Sequence, residues 1–179
     1  RIAVVSAMRE ELHALHDALH DPCVERVAGR DFHLGLLHGR PALLVLSGIG
    51  KVAAATTTAL LLDRFEVDAV LFTGVAGGLG EGVAVGDVVV ADALLQHDMD
   101  ASPIFPRWEV PLTGRSRFAA DVAWTDRLAA AAHRAGHAVH RGLVVSGDRF
   151  VSTSAESAAL RGLLPDALAV EMEGAAVAQ

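Results

Sequence analysis

Three kinds of residue in this sequence could do chemistry: acids at the ends of apolar runs, glycine-rich turns, and an aromatic behind a Ser-Gly-Asp turn. Glu10 and Glu11 follow the apolar run that ends in Ser6-Ala7, and Glu171 and Glu173 flank Met172 at the end of another. Carboxylates can do general acid–base work or stabilise developing positive charge. Glu11 can equally be an exposed acid in the first turn of a helix, where the helix dipole favours it, and Glu10 suits that reading as well. Glu171 and Glu173 lie amid Ala and Val, where a carboxylate needs partners. Phe150, in Ser146-Gly147-Asp148-Arg149-Phe150-Val151, is either a core ring or a platform for a flat ligand. Met8 and Met172 are otherwise gap fillers.

The glycine turns do not fit the standard nucleotide loops. Gly48-Ile49-Gly50-Lys51-Val52 lacks the spacing and the hydroxyl of a P-loop, and it has no third glycine in register for a dinucleotide fingerprint. Gly74-Val75-Ala76-Gly77-Gly78 leads towards a strand rather than a helix. Most of these glycines read as tight turns, and Gly77 and Gly78 also let the backbone approach a flat ligand. Histidines give little. His13, His16 and His20 read as one solvated side of a helix, and Glu10-x-x-His13 is half of a di-metal motif without its second half. His97-Asp98-Met99-Asp100 is a weak metal signal. The expectation is an enzyme with no metal and no cofactor.

Composition narrows the class. The chain has 179 residues, 52% of them hydrophobic, enough for a substantial core. Acids outnumber bases 22 to 15, for a net charge of −7, which argues against a nucleic-acid binder. The single cysteine, Cys23, excludes an internal disulfide and a Cys-rich zinc module. No apolar run reaches the roughly 18–20 residues of a membrane span, and the N-terminus has no signal-peptide pattern. These features point to a cytoplasmic protein that handles a small molecule.

The positioning elements follow from hydrophobic periodicity. Arg1 to Ala7, Pro41 to Leu46 and Asp68 to Thr73 read as buried strands, with a hairpin turn at His38-Gly39-Arg40 after the loosely alternating Asp31 to His38. Gly86 to Leu95, His140 to Ser146 and Ala167 to Met172 are further strands. Helices are expected over Arg9 to His20, where Leu12, Leu15 and Leu19 form one stripe, and over Lys51 to Phe65, Ala120 to Ala135 and Ala155 to Leu164. Pro103, Pro106, Pro111 and Gly114 make Ser102 to Ser116 a loop. Alternating strands and helices imply an α/β fold: a single three-layer domain over 1–179, its mostly parallel or mixed central sheet flanked by helices. Ligands in such folds bind beyond the carboxyl ends of the strands, which is where the acids, glycines and Phe150 fall. Glu173 to Gln179 reads as a helix start of seven residues, so the protein is expected to continue beyond Gln179.

Five segments together carry a family resemblance: Ser6-Ala7-Met8-Arg9-Glu10-Glu11, Ser47-Gly48-Ile49-Gly50-Lys51, Thr73-Gly74-Val75-Ala76-Gly77-Gly78, Ser146 to Val151, and Val170-Glu171-Met172-Glu173-Gly174. In this order they resemble the 5′-methylthioadenosine/S-adenosylhomocysteine nucleosidases of the purine nucleoside phosphorylase and uridine phosphorylase superfamily, over nearly the whole chain. The resemblance implies hydrolysis of the N-glycosidic bond of a 5′-thioadenosine, with release of adenine. It implies that Glu11 activates water, that Met172 and Glu173 hold the ribose hydroxyls, and that Phe150 and Val151 receive the adenine. Met8 and Ile49 would line the ribose and thioalkyl pocket, and Ala76 and Gly77 would form a backbone wall near the base. It further implies a homodimer in which Ala101 to Phe105 borders the partner's site, and a general acid, an Asp in a Ser-Asp segment, on a strand after the Glu173 helix. Asp148 matches a structural position in the family. The phosphorylase relatives carry a phosphate-binding arginine in a Gly-Asp-Pro-x-Arg loop where this chain has Ala7-Met8-Arg9-Glu10-Glu11; two acids there repel a dianion, so water is the expected nucleophile. The competing readings are another purine nucleosidase or phosphorylase of the same fold, such as one acting on a futalosine-type nucleoside, and a nucleoside-binding protein without turnover.

Overall fold

A computed structural model describes residues 1–179, which divide into two compact units, Arg1–Val75 and Ala76–Gln179. Together they give the α/β class, as two five-stranded mixed sheets with helices.

The first unit contains β1 (Ile2–Ser6), α1 (Arg9–Asp17), β2 (Leu19–Val27), β3 (Arg30–Leu37), β4 (Arg40–Leu46), α2 (Lys51–Arg64) and β5 (Ala69–Phe72). The sheet order is β2-β3-β4-β1-β5, with β1 parallel to both β4 and β5. The unbroken apolar character of β1 and β4 has a simple cause: both faces are covered, so both alternating sets of side chains are buried. Ala3, Val5, Leu43 and Val45 pack with Leu61 of α2 and with Phe65, and Val4, Ala42 and Leu44 pack with Leu12 of α1. Parallel pairing in register, with Ser6 opposite Leu46, brings the carboxyl ends of β1 and β4 level. The Ser47 N–H donates to the Ser6 carbonyl at 2.8 Å, and the Thr73 N–H to that of Val5 at 3.0 Å, which ties the next two turns to the same edge.

One helix is shorter than the periodicity suggests. α1 stops at Asp17, and Leu19 already belongs to β2, an edge strand absent from the sequence reading. Leu19 still packs with Leu12, so a strand residue completes what looks like a helical stripe. His20 therefore lies in β2, opposite Leu36, and not beside His13 and His16 on the helix. β2 is exposed at every position from His20 to Arg26 and carries a bulge between His20 and Cys23, so it has no apolar alternation to reveal it.

The second unit contains β6 (Gly77–Gly78), β7 (Val88–Gln96), β8 (Arg117–Ala119), α3 (Val122–Arg134), β9 (Val139–Ser146), α4 (Ser154–Leu163), β10 (Ala167–Glu171) and α5 (Gly174–Ala178). The order is β6-β10-β9-β7-β8; β7, β9 and β10 are parallel, and short antiparallel strands lie at each edge. Leu95, Leu143, Val145, Leu160, Leu164 and Val170 form its core, with Val151 packed against it. α4 begins at a capping box: the Thr153 hydroxyl accepts the Glu156 N–H, and the Glu156 carboxylate accepts the Thr153 N–H. Gln96, Ser146 and Glu171 stand side by side at the carboxyl ends of the three parallel strands. No helix is long and apolar enough to cross a membrane.

His33 of β3 packs edge-on to His16 of α1, with ring centroids 4.8 Å apart. Burial first, and the His16 charge second, hold the His33 pKa below the ordinary 6.5, against an upward pull from Asp31. A histidine with a lowered folded pKa binds its proton more readily in the unfolded chain. Stability is then complete above the unfolded value and falls as pH drops through it. Thermal unfolding should show the midpoint falling between about pH 7.5 and pH 5.5, and His33→Gln should flatten that fall. A profile unchanged by the substitution would contradict this origin.

Candidate active site

In the first unit, two of the candidate residues, Met8 and Glu11, lie where β1 meets α1. Met8 is the N-cap of α1, and Glu11 is the third residue of its first turn. The Glu11 carboxylate does more than cap the helix. Its Oε2 accepts the N–H groups of Ala7 at 3.0 Å and Met8 at 2.9 Å, and its Oε1 accepts the N–H of Val75 at 3.0 Å. The side chain thus joins its own helix start to the segment that follows β5. An ionised carboxylate offers about four lone-pair positions. Two on Oε2 and one on Oε1 are taken, so the open acceptor position is on Oε1. The neighbouring Glu10 is exposed and makes no comparable set of bonds; its main-chain carbonyl lies 3.4 Å from His13 Nδ1.

Gly74 is a glycine for this reason. A Cβ at this position would come 2.7 Å from Glu11 Oε1, too close for any side chain. The glycine reads as a tight turn in the sequence, yet what it supplies is room for a carboxylate 63 residues earlier in the chain. Ile49 lies in the turn after β4 and is 60% exposed, so it is not part of the core. Met8 is half-buried at the head of α1.

In the second unit, Met172 and Glu173 follow β10 directly. Glu173 is only 6% exposed, which removes the reading of a surface acid. Its main chain is held on both sides. Its N–H donates to Glu171 Oε2 at 2.9 Å, and its carbonyl accepts the N–H groups of Ala176 at 2.8 Å and Val177 at 3.2 Å. Phe150 follows β9 and is 75% exposed, so this ring is not core and stands free to stack. Val151 beside it packs against the core, fixing the segment that carries the ring. Ala76 is exposed, and Gly77 pairs with Val170 of β10, where an added Cβ would meet the Val170 side chain at 3.3 Å. Gly77 is thus anchored to the strand that leads into Met172 and Glu173.

The sequence reading did not single out Gly74 and Ser146 individually. Ser146 is fully buried, with its hydroxyl bonded to Glu171 and accepting the Ala175 N–H at 2.7 Å. A polar residue closing an apolar strand beside a Gly-Asp turn was the available signal. The weak metal motif is otherwise engaged: Asp98 Oδ2 accepts the Asp148 N–H, and Asp100 Oδ1 accepts the N–H and hydroxyl of Ser102, which hold the Asp100 carboxyl below its ordinary pKa. No three His, Cys, Asp or Glu side chains are grouped so as to hold a metal ion.

The profile of the phosphorylase superfamily matches residues 1–179. The 5′-methylthioadenosine/S-adenosylhomocysteine nucleosidase of Bacillus cytotoxicus is 40% identical over 185 aligned residues, covering 100% of this chain and 78% of the relative. This chain belongs to that nucleosidase family. Solved structures agree. The Neisseria meningitidis nucleosidase in complex with methylthio-immucillin-A superposes with a TM-score of 0.93 at 41% identity, over 99% of this chain and 78% of the other. The Streptococcus pneumoniae enzyme in complex with 8-aminoadenine gives 0.88 at 38% identity, over 100% and 78%.

Removing the Glu11 carboxylate should also cost stability, because three main-chain donors lose their acceptor. Glu11→Ala is expected to lower the free energy of unfolding by about 1–3 kcal/mol, whereas the nearby Glu10→Ala should lie within about 0.5 kcal/mol of the parent. Denaturant unfolding of the two variants checks this; equal effects would show that the three bonds carry no weight.

Proposed function

We propose that this chain hydrolyses the N-glycosidic bond of 5′-methylthioadenosine or S-adenosylhomocysteine, releasing adenine, with water as the nucleophile and Glu11 as the base. The observation that carries this reading is the bonding of Glu11. Its three main-chain donors fix the carboxylate and leave one acceptor position, on Oε1, for a water proton. Held in this way the side chain pays little reorganisation when the proton moves.

The same bonds favour water over phosphate. A strand-to-helix turn presents main-chain N–H groups that commonly greet an anionic phosphate. Here the Ala7 and Met8 N–H groups are taken by Glu11, and Glu10 adds a second negative charge beside them. Arg9 is the one cation in that turn, and it is exposed next to both acids.

The remaining roles are assigned on the same reading. Glu173, buried and clamped through its main chain, accepts hydrogen bonds from the ribose hydroxyls and stabilises positive charge on the sugar as the bond lengthens. Met172 stands beside it for the same ribose. Phe150 stacks on the adenine, and the Val151 main chain pairs with its edge. Met8 and Ile49 offer apolar surface to the 5′-thioalkyl group, and Ala76 and Gly77 line the approach to the base. We further assign a homodimer in which Ala101 to Phe105 borders the site of the partner subunit. An Ile104 that is 82% exposed, between Pro103 and Phe105, supports that assignment. A cytoplasmic location belongs to the same reading.

One assay tests the central assignment. Incubation with 5′-methylthioadenosine should release adenine and free methylthioribose at rates independent of added phosphate. Glu11→Gln should lower kcat by at least about 100-fold; its amide oxygen can keep the Ala7 and Met8 N–H groups while the Val75 N–H loses its acceptor, so nucleoside affinity should fall by no more than about tenfold. A methylthioribose 1-phosphate product, or near-normal turnover by Glu11→Gln, would overturn it.

A further inference from the structure

The acid two residues before Glu173 has no role in the reaction as described, yet its carboxylate is built into the main chain around Glu173. Glu171 ends β10, directly opposite Ser146 of β9. One carboxylate oxygen, Oε1, takes the Ser146 hydroxyl. The other, Oε2, takes the N–H of Glu173 at 2.9 Å and of Gly174 at 2.7 Å. The Ser146 oxygen in turn accepts the next N–H, that of Ala175, at 2.7 Å. Three successive N–H groups that have no partner within α5 are thereby satisfied by one carboxylate and one hydroxyl. Gly174 sits close to this arrangement: a Cβ there would meet Leu94 Cδ2 at 2.7 Å and both Glu171 oxygens at 3.3 Å.

The consequence falls on Glu173. Its φ of −135° and ψ of −43° lie outside the helix that follows, so helical hydrogen bonding does not by itself set its direction. The N–H bond to Glu171 holds this residue from the strand side. We infer that Glu171, anchored by Ser146, is the positioning residue that sets where the Glu173 side chain meets the ribose. The inference rests on the ribose role proposed above for Glu173. It gives Glu171 no contact with substrate and no proton to transfer; its whole effect passes through the Glu173 main chain. A merely structural acid would hold the fold and influence catalysis no more than any stabilising contact.

A double-substitution cycle on the full chain separates the two, with kcat and KM for adenine release from 5′-methylthioadenosine as the readout and thermal melting as the control. A displacement of the order of 1 Å at a sugar-binding group can cost about 100-fold. Glu171→Ala should therefore lower kcat/KM by about that factor, and Glu173→Ala by at least as much. The combined variant should match Glu173→Ala alone within about twofold, because positioning a side chain that is gone has no value. Ser146→Ala keeps the carboxylate and frees it from its hydroxyl anchor. It serves if Glu171→Ala does not fold, and its smaller loss, about tenfold, should likewise vanish in the Glu173→Ala background. Losses that multiply in the combined variants, or folded Glu171→Ala or Ser146→Ala with parental kcat/KM, overturn this inference and leave the ribose role of Glu173 standing. Parental kcat/KM in Glu173→Ala alone overturns that role and the inference together.

Discussion

The interaction on which the rest depends is the acceptance of three main-chain N–H groups by one carboxylate. Glu11 receives Ala7, Met8 and Val75, donors from the turn after β1 and from the segment after β5. A lone acid at a helix start has several rotamers and a water shell. This one has a fixed orientation and one acceptor position left. Parallel pairing of β1 with β4 and β5 makes it possible, because it brings the ends of non-adjacent segments to one edge. Gly74 completes it by leaving room where any side chain would collide with Oε1.

The second unit uses the same device for a different end. Glu171 and Ser146, side by side at the ends of β10 and β9, absorb the unpaired donors of a five-residue helix and fix the main chain of Glu173. In both units acids at strand ends are held by the backbone rather than by arginine or lysine alone. That choice matters chemically. Main-chain donors spent on a carboxylate are not offered to a phosphate, so a scaffold shared with phosphorylases can favour water. The superfamily match shows that the scaffold is shared.

Much of this was legible from residue order, and the failures are informative. β1 and β4 announced themselves as short apolar runs because both their faces are covered, and the part-buried β5, β9 and β10 are apolar enough to read the same way. The edge strand β2 did not, because it is exposed from His20 to Arg26 and Leu19 completes a helical spacing from outside the helix. β6 and β8, two and three residues long, were too short to carry any period. The acids and Phe150 could be picked out as candidates by type and by their place after strands. Their partners could not. Glu11 lies 64 residues from Val75 and Ser146 lies 25 from Glu171, distances that only sheet pairing closes. For the same reason Gly74 looked like a turn former, whereas its requirement is a steric one set by a distant side chain.

The most direct measurement is a crystal structure of the protein with a non-cleavable 5′-thioadenosine analogue whose sugar mimics the oxocarbenium ion. The account predicts a single ordered water within about 3.2 Å of Glu11 Oε1, facing the anomeric position, with Oε2 still bonded to the Ala7 and Met8 N–H groups. An anomeric position with no water between it and Glu11, or a carboxylate turned away from those main-chain donors, would contradict it.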